Sequence, residues 1–281
     1  MCLCSWVYSG QGEHARRAKA GSFCPLSVKG LVGQSEWSKH FPDCGGTSQS
    51  PVDVVTTQTK YDSSLIPLTP LGYSQHGNKP FTLYNNGHTV VIEMPEWMGL
   101  GGLPWLFTAV QLHLHWGSGG QTHVLSLCLT NPHYSSLQLH VVHYNSELYP
   151  NMSTAMTQKD GLAVLGILIV TNPAFNNILN YLSRIRHADQ KVLIPGFDVQ
   201  SLLPKDLGRY YRYNGSLTTP PCYQSVIWTL FHERVQISQA QMETILYSSK
   251  AEEHDRMPLQ DNYRTTQLLN HRVIFTSFSA G

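Results

Sequence analysis

Turn-forming residues recur at intervals of about ten positions, in CGGTSQSP, YNNGHT, GLGGLP, GSGG, YNGS and TTPP, and the segments between them are short. That punctuation is too dense for long helices and points to a fold dominated by sheet. Alternation of apolar and polar residues predicts strands over 81–84, 88–94, 108–116, 137–144, 162–170 and 225–231, most of them rich in β-branched or aromatic residues. Helical spacing is confined to two stretches. In AFNNILNYLSRIR, 174–186, Ile178, Leu179, Leu182 and Ile185 share one face, and SQAQMETILYS, 238–248, starts from a serine cap. The chain is therefore predicted to be mostly β with peripheral helices. Its 281 residues, 41% of them hydrophobic, can bury one large core, and no internal repeat or long linker divides them.

Charge and composition narrow the function classes. Nineteen basic residues against eighteen acidic ones give a formal charge of +1, so there is no broad positive surface for nucleic acid or an anionic membrane. The cluster HARRAK at 14–19 is short and reads as a solvated loop. No apolar run reaches the roughly 18 residues that span a bilayer, and MCLCSWVY is too short for a complete secretory signal. Neither a membrane anchor nor a full signal is expected in this chain. The six cysteines contain no C-x-x-C pair, which argues against a zinc ribbon. Cys44 and Cys222 lie in turn-rich, polar surroundings that admit a disulfide in an oxidising compartment. The sequons Asn151-Met-Ser and Asn214-Gly-Ser point the same way, toward an extracellular or cell-surface protein.

Fourteen histidines are many for this length, and two of them stand in QLHLHWG, 111–117. On a strand, residues i and i+2 share a face, so His113 and His115 can address one ion while Leu112 and Leu114 face away. Zinc held for catalysis by imidazoles needs a third, commonly from a neighbouring strand. LQLHVVHY offers His140 and His143, which a regular strand sends to opposite faces, so only one can join.

Several segments taken together carry a family resemblance. SQSPVDV at 48–54, YNNGHTV at 84–90, QLHLHWG, and YNGSLTTPPCYQSVIWTLF at 213–231 occur in the order and approximate spacing of α-class carbonic anhydrases. LAVLGILI at 162–169 and NYRTTQLLNHRVIFTSF at 262–278 extend the likeness, so that it covers 30–281 and leaves 1–29 as an irregular N-terminal segment. The Cys44 and Cys222 contexts look most like the extracellular, membrane-associated branch. The resemblance implies a single domain around a large twisted, mainly antiparallel sheet and a zinc enzyme converting carbon dioxide to bicarbonate. It assigns zinc to His113, His115 and His140, leaving His143 to the core. Zinc on three neutral imidazoles lowers the pKa of a bound water to about 7, a shift whose reference case is carbonic anhydrase itself. Thr218 matches the residue that aims the attacking oxygen, with Thr219 beside it. Val142, Val164, Leu217, Val226 and Trp228 match the apolar wall that holds carbon dioxide. His88 matches the proton shuttle, with Asn86 and Gln111 on the polar side of the funnel.

The chain also departs from that family. Segment 9–29 has no counterpart there, and 118–136, SGGQTHVLSLCLTNPHYSS, has nearly the expected length but different content; both fit a splice variant or misjoined exons, and 9–29 also a loop insertion. Two carboxylates are missing. Thr122 stands where the catalytic threonine's glutamate belongs, and Gln138 where the third zinc histidine's belongs. An uncharged amide supports an imidazole ligand less strongly than a carboxylate does. The expectation is a zinc site weakened in affinity and rate. A catalytically inactive binding or adhesion module on the same fold is the second reading.

Overall fold

The computed structural model describes residues 33–75, 78–117, 137–169, 172–233, 246–250 and 257–279. The irregular segment 1–29, Thr122 and the rest of 118–136 lie outside the described residues. One 12-stranded sheet organises the rest. Its strands are β1 (Lys60–Tyr61), β2 (Thr69–Leu71), β3 (Phe81–Asn85), β4 (Val90–Glu93), β5 (Gly99–Gly101) and β6 (Phe107–His115). They continue with β7 (Leu137–Asn145), β8 (Leu162–Ile169), β9 (Lys191–Ile194), β10 (Tyr210–Gly215), β11 (Val226–Phe231) and β12 (Phe275–Thr276). The spatial order is β1-β12-β10-β11-β8-β7-β6-β4-β3-β9, with β2 and β5 branching from β6. Pairing is antiparallel except for β1 with β12 and β8 with β11.

The central strands β6, β7, β8 and β11 are buried along nearly their whole length, which is why they read as almost continuous apolar runs. Each face covers its own core. Leu112, Leu114, Leu139, Val141, Leu165 and Ile167 belong to the larger one. Val142, Val164, Val226, Trp228 and Leu230 belong to the other, with Val52 and Val54 from the N-terminal part.

The predicted strands fall on β3, β4, β6, β7, β8 and β11, with one shift: β4 begins at Val90, because residues 86–89 form a turn. The continuous helix expected over 174–186 is not formed. It is replaced by a 3-10 turn at Pro173–Phe175, an α-turn α3 at Asn176–Leu179 and a second 3-10 turn at Leu182–Arg184. The apolar face is correct, since Ile178, Leu179, Leu182 and Ile185 are all buried. Tertiary bonding overrides the regular ladder: the carbonyl of Ile185 accepts from Asn85 Nδ2 at 3.2 Å, and Ile185 leaves helical geometry. Of the helix expected at 238–248, the described end is extended, with Tyr247 bridging Pro258. The other helical turns of α type, α1 (Trp37–His40) and α2 (Met152–Ala155), are as short as α3.

Cys44 and Cys222 form the expected disulfide across a sequence separation of 178 residues. Both are buried against Trp37. Arg264 reinforces the junction, donating from Nη2 to the Cys44 carbonyl at 2.9 Å and from Nη1 to Gln49 Oε1 at 2.7 Å. Closing so long a loop restricts the unfolded chain, so reduction or Cys222→Ser should cost about 2–5 kcal/mol in denaturant unfolding. A reduced protein with an unchanged midpoint would show that the bridge adds nothing.

Candidate metal centre

The site is set by a single extra residue in β6. Ala109 pairs with His143 on β7, but Gln111 pairs with Val142, so Val110 is a bulge. Side chains alternate faces along a strand, and without the bulge Gln111, His113 and His115 would share the face of Phe107 and Ala109. With it, they turn to the opposite face. Beyond the bulge, His113 lies directly across from His140, and His115 across from Gln138.

The three histidines form a tight group. His113, His115 and His140 each offer a ring nitrogen, all within 4.8 Å of one another, and each residue is buried. His115 Nδ1 donates to the Asn262 carbonyl at 2.6 Å, which fixes the tautomer and leaves Nε2 unprotonated. That Nε2 is buried with no hydrogen-bond partner. A buried lone pair aimed into a cluster of other imidazoles is costly unless a cation takes it, so the donor set fits a metal ion. His113 Nδ1 donates to Gln111 Oε1 at 3.3 Å, leaving its Nε2 unprotonated. Burial pulls all three imidazoles down, His115 to about 3, and the neighbouring rings depress His113 and His140 further. They are neutral, as ligands must be.

His143 goes to the other face, as parity requires. Its Nδ1 donates to the Ala163 carbonyl at 3.1 Å, and its Nε2 accepts from the Tyr73 hydroxyl at 2.5 Å. Burial holds its imidazole at about 4.

Three strands extend the metal face into an apolar row. Val142 on β7 pairs with Val164 on β8, which pairs with Trp228 on β11. Trp228 also meets the His140 ring edge-on, with centroids 5.0 Å apart. Gly166, beside His140 in register, leaves room for Leu230 on the neighbouring strand: a Cβ there would come within 2.7 Å of Leu230 Cδ2. Leu217 and Val226 join the same cluster, and Thr219 is buried close by. Thr218 lines the cavity with His115, Gln138, His140 and Trp228. Its loop is held by Trp228 Nε1, which donates to the Ser216 carbonyl at 3.0 Å, and by Ser50 N, which donates to Ser216 Oγ at 2.9 Å.

Gln138 is 4% exposed, on the same face and two residues before His140, and its Nε2 has no partner. Asn86 is spent on its turn, where Oδ1 accepts from the amides of His88 and Thr89. Gly87, with φ at +81°, makes that turn possible. His88 follows it, and burial lowers its imidazole to about 4. Asn151 and Asn214 are both exposed, Asn151 capping α2 through Thr154 N. Sequence reasoning missed Asn262, Tyr73 and Arg264. Asn262 is 147 residues from the histidine it supports, and a backbone carbonyl leaves no compositional trace.

Comparison with known proteins agrees with this geometry. The family model of eukaryotic-type carbonic anhydrase matches residues 32–278. The chain belongs to that family. It is 43% identical over 256 residues to carbonic anhydrase 12 of Homo sapiens, covering 89% of this chain and 72% of that protein. Carbonic anhydrase 6 of Mus musculus is 37% identical over 88% of this chain and 78% of its own length, and carbonic anhydrase 15 of Mus musculus 35% identical over 92% and 84%. The three histidines thus stand in a carbonic anhydrase fold, on its metal-competent face.

The buried histidines set a pH dependence. A histidine held neutral in the fold binds a proton on unfolding, so stability is full above about 6.5 and is lost as pH falls toward about 4. For His143 that shift corresponds to about 3 kcal/mol. Denaturant titrations of metal-free protein between these pH values should show the loss, and His143→Phe should flatten the slope by about one proton. An unchanged slope in that variant would place His143 outside the buried, neutral class.

Proposed function

We propose that this chain hydrates carbon dioxide reversibly to bicarbonate and a proton, using zinc held by His113, His115 and His140. The observation that carries the reading is the cluster of three neutral, buried imidazoles at the head of an apolar row. When bound, zinc supplies a Lewis acid that generates a nucleophile from water at neutral pH. The residues around it do the rest.

Carbon dioxide has no charge and no strong donor or acceptor to grip, so its site must be apolar. Val142, Val164, Leu217, Val226 and Trp228 provide such a wall within reach of His140. Thr218, at the cavity edge, accepts a hydrogen bond from the attacking oxygen and so aims its lone pair at the carbon. Thr219 backs it. Gln111 and Asn262 fix the ring orientations of His113 and His115. The proton released must leave, and His88 is the carrier: its ring is neutral where buried, and gains basicity as it turns toward water.

Gln138 tempers this site. Its amide oxygen, buried on the same face two residues before His140, is read as the acceptor for that ring, but without a charge it raises ligand basicity less than a carboxylate. Zinc should be held more loosely than with a glutamate there, and turnover should be lower. If turnover were absent altogether, the chain would act as a binding module on the same fold. The buried disulfide and the exposed asparagines of the two sequons support an extracellular or cell-surface setting, with Asn151 and Asn214 glycosylated.

The test begins with metal content: purified protein should carry one zinc per chain. Stopped-flow mixing should then show carbon dioxide hydration above buffer, abolished by His113→Ala and strongly reduced by Thr218→Ala. Folded, zinc-loaded protein with no hydration would sink the catalytic reading. Chelator competition should show that Gln138→Glu tightens zinc by about 10–100-fold, the range such supporting partners carry. Equal affinities would mean that Gln138 does not support His140.

A further inference from the structure

Asn262 is 2% exposed and makes three polar contacts through three different atoms. Its backbone carbonyl accepts from His115 Nδ1 at 2.6 Å. Its Oδ1 accepts from Trp116 N at 2.8 Å, just past the end of β6. Its Nδ2 donates to the His88 carbonyl at 2.9 Å. A single side-chain amide therefore bridges the strand that carries two metal ligands and the turn that carries His88.

Other bonds in the turn do different work. Asn85 Oδ1 accepts from Gly87 N, and Asn86 Oδ1 from His88 N and Thr89 N, which shape the turn internally. Thr89 Oγ1 donates to the Leu114 carbonyl, which ties the far end of the turn to β6. Among the described residues, the bond that anchors the backbone of residue 88 itself to the metal-bearing strand comes from Asn262. Amide chemistry suits the place, because one group must accept from an N–H and donate to a carbonyl at once. Aspartate could do only the first and alanine neither.

We propose that Asn262 is a positioning residue for proton transfer, holding the His88 turn in register with the metal ligands so that the imidazole spans the path between the site and solvent. The proposal rests on the reading of His88 as proton carrier. Without the Nδ2 bond, the carbonyl of residue 88 hydrates, the turn loosens at that residue, and the ring loses its fixed relation to His115. The metal ligand itself keeps its support, since that comes from the Asn262 backbone. The two roles of Asn262 are thereby separable by a side-chain substitution.

The test is Asn262→Ala in the zinc-loaded protein. Its kcat for carbon dioxide hydration should fall about tenfold while kcat/KM, which does not contain the proton-transfer step, stays within about twofold. Added imidazole should restore kcat. In a His88→Ala background the same substitution should lower kcat no further, because both changes remove one path. Parallel loss of kcat and kcat/KM, or an additional loss in that background, would overturn the proposal. A readout independent of turnover is the NMR titration of His88, which should move from about 4 toward 6.5 in Asn262→Ala as the ring gains water; an unmoved titration also overturns it. If wild-type protein shows no hydration, the catalytic reading fails and the titration still decides whether Asn262 holds the turn. Should Asn262→Ala not fold, Asn262→Ser carries the same measurements.

Discussion

The pairing of β6 with β7 beyond the bulge at Val110 is the constraint on which the rest depends. It places His113 opposite His140 and turns three imidazoles to one face, while their neighbours Leu112, Leu114, Leu139 and Val141 fill the core on the other. The apolar row follows from the same register carried outward through β8 and β11. A bulge disrupts a ladder locally, and here the cost is offset by two cores that both gain from the change of parity.

That arrangement also concentrates electrostatic cost. Three imidazoles that are kept from water and from charging, one of them with an unpartnered lone pair, are unfavourable in a protein interior unless a cation completes them. The surrounding bonds limit the cost by fixing tautomers through carbonyl and amide oxygens, which carry no net charge. The neighbouring junction follows a similar economy. Arg264 is buried with its guanidinium on the Gln49 amide and the carbonyls of Ser50 and Cys44, and over the Trp37 ring. Desolvation pulls its pKa down to about 10, which leaves it charged at neutral pH.

Much of this was legible in the sequence, for physical reasons that differ by element. Buried central strands announce themselves by β-branched and aliphatic runs, and β7, β8 and β11 lie within a residue or two of where those runs predict them. The split between His140 and His143 follows from strand parity alone; which of them joins His113 and His115 came from the family resemblance, and the register agrees. The bulge is silent, since Val110 looks like any strand residue. The stretch 174–186 has the periodicity of a helix and the right buried face, yet long-range bonds from Asn85 hold its end open. Asn262 shows the opposite limit: its contribution to His115 runs through a backbone carbonyl, and no property of an asparagine in sequence reports it.

The connectivity of the site has a consequence for how it is completed during synthesis. His113, His115 and His140 come from strands adjacent in the sheet and near in the chain, so the face for metal is encoded within a short span. Thr218, Val226 and Trp228 arrive later, and Cys222 must find a partner made 178 residues before it. A chain emerging N-terminus first therefore has its histidines in hand before it has an apolar wall or a threonine loop. The disulfide that secures that loop forms only where thiols can be oxidised.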